Sequence, residues 1–231
     1  MNKTRKAREL RMLEGGDPLW NLQEFHIDVP HRELWLVGEN DARDESDCLE
    51  EPGVEYLMAS RIIKNLRLMA HISDEPVLIH MKTCGGDVAE GLAIYDAIKL
   101  SPLRVTILSY THARSMSSII LQAADKRVLM PHSYFMFHRG DAQFSGESRA
   151  VESSVEFYKR WDKVMLDIYI AAIQKSKSEE PFHRSYKSKD LRTKLERHMG
   201  QRVDVFLSAE ETVNWGLADE IFDGDWKGLL K

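Results

Sequence analysis

Two hydrophobic rhythms divide the chain: short apolar or alternating runs that read as strands, and longer runs with apolar residues three to four apart that read as helices. Residues 33–37 (Glu-Leu-Trp-Leu-Val) form a short strand ending at Gly38. Helical spacing follows over residues 56–70, with Leu57, Ile62 or Ile63, Leu66 and Met69 on one side. Val77-Leu-Ile-His-Met81 reads as a buried strand that runs into Thr83-Cys-Gly85-Gly86-Asp87 and then a helix through residues 91–98. Residues 104–108 are the next strand, and residues 127–130 and 134–137 are two more. Over residues 147–174, Val151, Val155, Tyr158, Met165, Ile168 and Ala172 recur at the spacing of one long amphipathic helix. Residues 175–194 are charged and contain Pro181, which predicts a loop and then a short helix. Phe206-Leu207, a helix over residues 210–215 and the segment 217–222 close the pattern.

Strand and helix units in alternation imply a layered α/β fold. Residues 1–20 are polar and charged, a flexible N-terminal arm, and residues 21–231 read as a single domain. Residues 39–53 are acidic, include Pro52 and read as an exposed loop. No internal repeat interrupts the order.

Composition narrows the function. A length of 231 residues, 43% hydrophobic and 30% charged, suits a soluble domain with a full core. A net charge of −5 argues against a nucleic-acid binder, whose footprint is basic. Only Cys48 and Cys84 are present, in different contexts, which suggests a reducing compartment. No apolar run approaches the ~20 residues of a membrane span. The N-terminal segment is basic without the apolar centre of a signal peptide, so the expected location is cytoplasmic; a removable leader stays open. Neither H-E-x-x-H nor paired C-x-x-C spacing occurs, so no metal is expected. No phosphate loop and no cofactor motif is present, so the chain carries no ATPase of its own.

The densest chemical signal is Ser109-Tyr-Thr-His-Ala-Arg-Ser115-Met116-Ser-Ser-Ile-Ile-Leu121. An apolar strand, a tight polar turn and an apolar helix put Ser115 beside backbone N–H groups with no intrahelical partner. A serine nucleophile needs that exposure and such donors for an oxyanion. It also needs a base, and His138 follows another strand 23 positions later (138 − 115). The other histidines compete with it on count, with His132 the nearest rival. The pair Gly85-Gly86 permits close approach of a ligand to backbone N–H groups; taken alone, it is a tight turn. Asp204 stands before Val205-Phe-Leu207 in a position to orient a base; composition alone reads it as solvated.

Four blocks turn these separate signals into one. They are Cys84-Gly-Gly-Asp-Val-Ala-Glu-Gly-Leu-Ala-Ile-Tyr-Asp96, Ala113-Arg-Ser-Met-Ser-Ser-Ile-Ile-Leu121, Arg127-Val-Leu-Met-Pro-His-Ser-Tyr-Phe-Met-Phe-His138, and Asp204-Val-Phe-Leu-Ser-Ala-Glu-Glu-Thr-Val-Asn-Trp-Gly-Leu-Ala-Asp219. In this order they resemble ClpP, the serine peptidase family of the Clp systems, across residues 34–222. The resemblance implies a crotonase-like spiral of ββα units with a protruding handle helix at about residues 141–174. It implies a Ser115 nucleophile, a His138 base and an orienting Asp204, with Gly86 and Met116 as oxyanion donors and Gly85 supporting the turn. It also implies heptameric rings stacked into a tetradecamer, an AAA+ unfoldase partner of the Clp ATPase type, and unfolded polypeptide substrates.

The chain departs from the family pattern. Cys84 stands where proline is usual, and Arg114 and Ser117 where small residues are usual. Residues 39–53 and 175–198 are long. These departures suggest a plastid or phage form as alternatives, with the plastid stroma or an infected cell's cytosol as the location. Three other readings stand beside a serine endopeptidase: a catalytically inactive ring subunit, a CoA-binding crotonase, and a phage-type capsid maturation protease.

Overall fold

The computed structural model describes residues 18–38, 51–140, 142–177 and 181–231. The expected arm at residues 1–17, most of the acidic loop, Cys48 and residue 141 lie outside them. Residues 18–20, read as part of the arm, start a helix.

The least polar runs become the centre of a sheet, where helices on its face and a second apolar cluster behind it leave little of the strands exposed. In chain order the described elements are α1 (Pro18–Phe25), β1 (Ile27–Asp28), β2 (Glu33–Val37), α2 (Tyr56–Ile72), β3 (Val77–Thr83), α3 (Val88–Lys99), β4 (Val105–Arg114), α4 (Met116–Leu121) and β5 (Lys126–Leu129). There follow β6 (Tyr134–Phe137), α5 (Ser148–Lys175), α6 (Ser188–Gln201), β7 (Val205–Ser208), α7 (Ala209–Asn214), β8 (Glu220–Ile221) and a 3₁₀ turn (Trp226–Leu230). The main path of the sheet is β1-β2-β3-β4-β5-β8, parallel from β2 onward and antiparallel between β1 and β2. The result is an α/β fold with a mostly parallel sheet.

Strand β4 runs past the expected end at residue 108. Its first half pairs with β5, Thr106 to Ser109 opposite Lys126 to Leu129. Its second half, His112 to Arg114, pairs with β6. Between them a bulge shifts the register against β3, so Met81 faces Ser109 while Thr83 faces Ala113. The Ser109 hydroxyl donates to the His112 carbonyl at 2.9 Å and supports the bend. Polar Thr111 and His112 hide this strand from a hydropathy reading, because the bulge and the change of neighbour interrupt the alternation. Strand β6 also pairs antiparallel with β7.

Helix α2 buries Met58, Ala59, Ile62, Asn65, Leu66, Met69 and Ile72. Leu57, expected on that side, is exposed. At 100° per residue it lies about 140° from Ile62, whereas Met58 lies about 40° away. Helix α6 is longer than the short helix expected, and its Leu191, Leu195 and Met199 are buried. On the opposite face of the sheet Leu78, Leu108, Val128 and Leu229 form a second small cluster closed by the 3₁₀ turn. Buried Arg127 ties β5 to the chain's end: it donates to both oxygens of Asp219, to the Gln122 side chain and to the Gly216 carbonyl. Among the described residues no helix is long and apolar enough to cross a membrane.

Candidate active site

Ser115 is the junction of β4 and the short helix α4, and its backbone is strained, with φ 50° and ψ −128°. A non-glycine residue at positive φ costs on the order of 1–2 kcal/mol, so neighbours must hold it there. The Ser115 amide donates to the Met136 carbonyl at 3.0 Å, which fixes the turn to β6. The Ser118 amide and hydroxyl both donate to the Ser115 carbonyl, at 3.0 and 2.6 Å. Ser117 closes the other side: its hydroxyl donates to the Arg114 carbonyl at 2.7 Å and accepts the Arg114 amide at 2.9 Å. The strain therefore sits inside a web of short hydrogen bonds that aims one hydroxyl away from the sheet.

That hydroxyl lies 2.9 Å from Nε2 of His138, and Nδ1 of His138 lies 3.1 Å from the Asp204 carboxylate. With the ring proton on Nδ1, His138 donates to Asp204 and accepts from Ser115. His138 follows the last residue of β6 and Asp204 precedes the first of β7. Because β6 and β7 are antiparallel neighbours with Phe137 opposite Val205, the two side chains extend one rung of the ladder. The aspartate side chain is 41% exposed and the histidine 18%, so this line opens to solvent at one end.

Gly85 and Gly86 have φ of +95° and +149°. Gly85 touches the serine turn: a Cβ built on it would stand 2.7 Å from Ser115 Cβ and 2.8 Å from the Met116 amide nitrogen. Gly86 is pressed against Val54, whose carbonyl oxygen would be 2.4 Å from an added Cβ. Only glycine fits either position. Val54 clamps the turn by donating to the Gly85 carbonyl at 2.6 Å and accepting the Asp87 amide at 2.9 Å. Nothing in the residue pattern foretold this clamp, since a lone valine after Pro52-Gly53 carries no chemical signal.

One further side chain backs the turn, and another lies buried nearby on β4. Tyr169, on the buried face of α5, shares a 2.6 Å hydrogen bond with the Ser118 hydroxyl, and burial pushes its phenol well above the ordinary value. His112 lies buried on β4 with Nε2 2.7 Å from the Glu51 carboxylate, off the line of a proper hydrogen bond. Burial pushes the His112 pKa down, and Arg114 and Lys82 add to that against the opposing pull of Glu51. The rival His132 takes no part in this arrangement among the described contacts, and no described cluster of His, Cys, Asp or Glu has the makings of a metal site. The arrangement can lend a hydroxyl to a base that a carboxylate orients, with a glycine turn alongside.

The Clp protease family model matches residues 43–225. The chain belongs to the Clp protease family. Among curated members, the ATP-dependent Clp protease proteolytic subunit of Deinococcus radiodurans is 31% identical over 174 residues, 74% of this chain and 76% of that protein. Proteolytic subunit 2 of Pseudomonas aeruginosa is 28% identical over 171 residues, 73% of this chain and 77% of that protein. Proteolytic subunit 3 of a Synechococcus species is 31% identical over 164 residues, 70% of this chain and 74% of that protein. At this identity the chain is a divergent, ClpP-like member of a peptidase family.

Proposed function

We propose that this Clp-family chain is a serine endopeptidase, the proteolytic subunit of a chambered protease. The observation that carries the reading is the hydrogen-bonded line from Ser115 through His138 to Asp204 at a strained strand–helix turn. In this mechanism His138 Nε2 takes the Ser115 proton as Oγ attacks a peptide carbonyl. Asp204 holds the ring with its proton on Nδ1 and stabilises the imidazolium that forms. The Gly86 and Met116 N–H groups receive the oxyanion, and Gly85 keeps the two turns in contact. His138 then gives its proton to the leaving amine. Water, deprotonated by the same ring, releases the acyl group and restores the Ser115 hydroxyl.

The assembly we propose follows the family: a crotonase-like spiral in one domain, a handle built on α5, heptameric rings stacked in pairs, and an AAA+ unfoldase feeding unfolded polypeptides in the cytoplasm. Exposed Phe144, Phe157 and Val164, on or beside α5, support a helix that meets other subunits.

A fluorophosphonate probe tests the chemistry. The wild-type chain should label covalently and Ser115→Ala should not, with the same elution volume in size-exclusion chromatography. An assembled, folded sample that fails to label, or a Ser115→Ala variant with wild-type peptide turnover, refutes the assignment.

A further inference from the structure

The small sheet that carries the candidate base and acid has two faces of opposite character. Its register decides which residues share them. His112 faces Tyr134, Ala113 faces Phe135 and Arg114 faces Met136 between β4 and β6. Tyr134 faces Ser208, Phe135 faces Leu207, Met136 faces Phe206 and Phe137 faces Val205 between β6 and β7. Side chains alternate along a strand and align across it. One face is therefore Ala113, Phe135, Phe137, Val205 and Leu207, all buried in the main core. The other is His112, Arg114, Tyr134, Met136, Phe206 and Ser208. His138 and Asp204, one step beyond β6 and β7, continue that second alternation. Arg114 thus lies on the same side of the sheet as the base and acid, immediately before Ser115 in sequence.

This second face has the makings of a binding floor. Phe206 is 52% exposed although it stands mid-strand, and its ring packs 5.7 Å from that of Tyr134. The Arg114 guanidinium is held in place: Nε donates to the Cys84 carbonyl at 3.2 Å, directly before the Gly85-Gly86 turn. Among the described residues no carboxylate lies within ion-pairing distance of Arg114. The nearby acid Glu51 has its two oxygens against His112 and Lys82. A positioned cation without an acidic partner, on the face that holds the base, is poised to receive a carboxylate from outside.

We infer that Arg114 is a specificity-determining residue: it binds an acidic side chain of the peptide close to the scissile bond, with the Tyr134 and Phe206 rings flooring the adjacent substrate position. The inference rests on the serine endopeptidase reading and deepens it.

The test uses the full-length protein and internally quenched peptides of one sequence, with Glu, Gln or Lys placed in turn at each of the three residues on either side of the cleaved bond. At one position or more, kcat/KM should rank Glu above Gln above Lys. Glu should exceed Gln by about tenfold, the size of one charge-assisted hydrogen-bonded pair. The ratio should shrink in 1 M salt. In Arg114→Gln the Glu-to-Gln ratio should fall to about one, and in Arg114→Glu it should invert in favour of Lys. Arg114→Lys, which keeps the charge but loses the planar fork, should retain a reduced ratio. Because the readout is a ratio within each protein, a general loss of activity does not imitate it. Binding of the same peptides to Ser115→Ala by fluorescence anisotropy supplies the ranking without turnover. Equal affinity and turnover for Glu and Gln at every position, or a wild-type ranking in Arg114→Gln, would overturn the inference. Failure of the underlying reading looks different: cleavage that persists in Ser115→Ala.

Discussion

Gly85→Ala separates the geometry of the serine turn from its residue identity. The new methyl would stand 2.7 Å from Ser115 Cβ and 2.8 Å from both the Arg114 carbonyl oxygen and the Met116 nitrogen, where ordinary contact begins at 3.4 Å. None of these atoms is the free end of a side chain, so the two turns must part by roughly 0.7 Å. A misplacement near 1 Å at a reacting centre costs about a hundredfold in rate. The positive φ of 95° adds a strain of about 1–2 kcal/mol for alanine, and the overpacking about 1–3 kcal/mol. That sum lies below the ~5–15 kcal/mol of a typical domain, so the fold should survive. The expected result is a labelling rate with the fluorophosphonate probe down about a hundredfold and a urea midpoint lowered but cooperative. Gly224→Ala is the control: φ is +101° there but nothing lies within 4 Å of the added methyl. It should show the strain cost alone, about 1 kcal/mol, with labelling unchanged. A Gly85→Ala protein that labels within threefold of wild type would refute the idea that contact between these two turns sets the nucleophile.

Further tests address other parts of the framework. Ser115→Gly should be more stable than Ser115→Ala by about 1 kcal/mol in urea unfolding, because only glycine relaxes at that φ; equal midpoints would mean the turn holds no strain. Tyr169→Phe should lose about 1 kcal/mol and lower turnover modestly, since Ser118, which supports the Ser115 carbonyl, loses a buried partner; an unchanged urea midpoint would count against that link. Arg127→Met should cost about 3 kcal/mol, because Asp219, Gln122 and the Gly216 carbonyl lose their shared donor, and a loss under 1 kcal/mol would contradict it. Burial is the largest influence on His80 and pushes its pKa below the usual 6.5, against the opposing pull of Glu33. In the window below 6.5 the unfolded chain therefore binds more protons than the folded one, and stability falls as pH drops from about 7.5 to 5.5. His80→Gln should show a smaller drop over that range, and an identical drop would remove His80 as a contributor.

Much of the framework was legible because it rests on local pattern. The strand before Gly85-Gly86, the strand over residues 134–137 and the long helix are written in apolar spacing. Ser115 and His138 stand at strand ends, where short polar residues interrupt apolar runs; Asp204 reads as solvated on composition, and only the order of the four family blocks assigns it a role. What stayed hidden is non-local. The length of β4 depends on a change of partner at a bulge. The Val54 clamp depends on a segment some thirty residues away in sequence from the turn it holds. The side of the sheet on which Arg114 stands follows from the β4–β6–β7 register, which no single strand encodes. Leu57 is exposed because it stands about 140° around the helix from Ile62, which spacing counted only in residues does not reveal.

The β6–β7 pairing also sets an order of events during synthesis. Ser115 is made early, but Asp204 follows 89 residues later (204 − 115), on the far side of helices α5 and α6. Until β7 has been made and zipped onto β6, His138 has no carboxylate to fix its ring. A growing chain on the ribosome therefore carries the Ser115 hydroxyl and the His138 ring before the Asp204 carboxylate that bonds the ring. The same late strand that buries Val205 and Leu207 brings Asp204 to His138, so on the proposed reading a chain that has not yet folded β7 lacks the orienting acid of its triad.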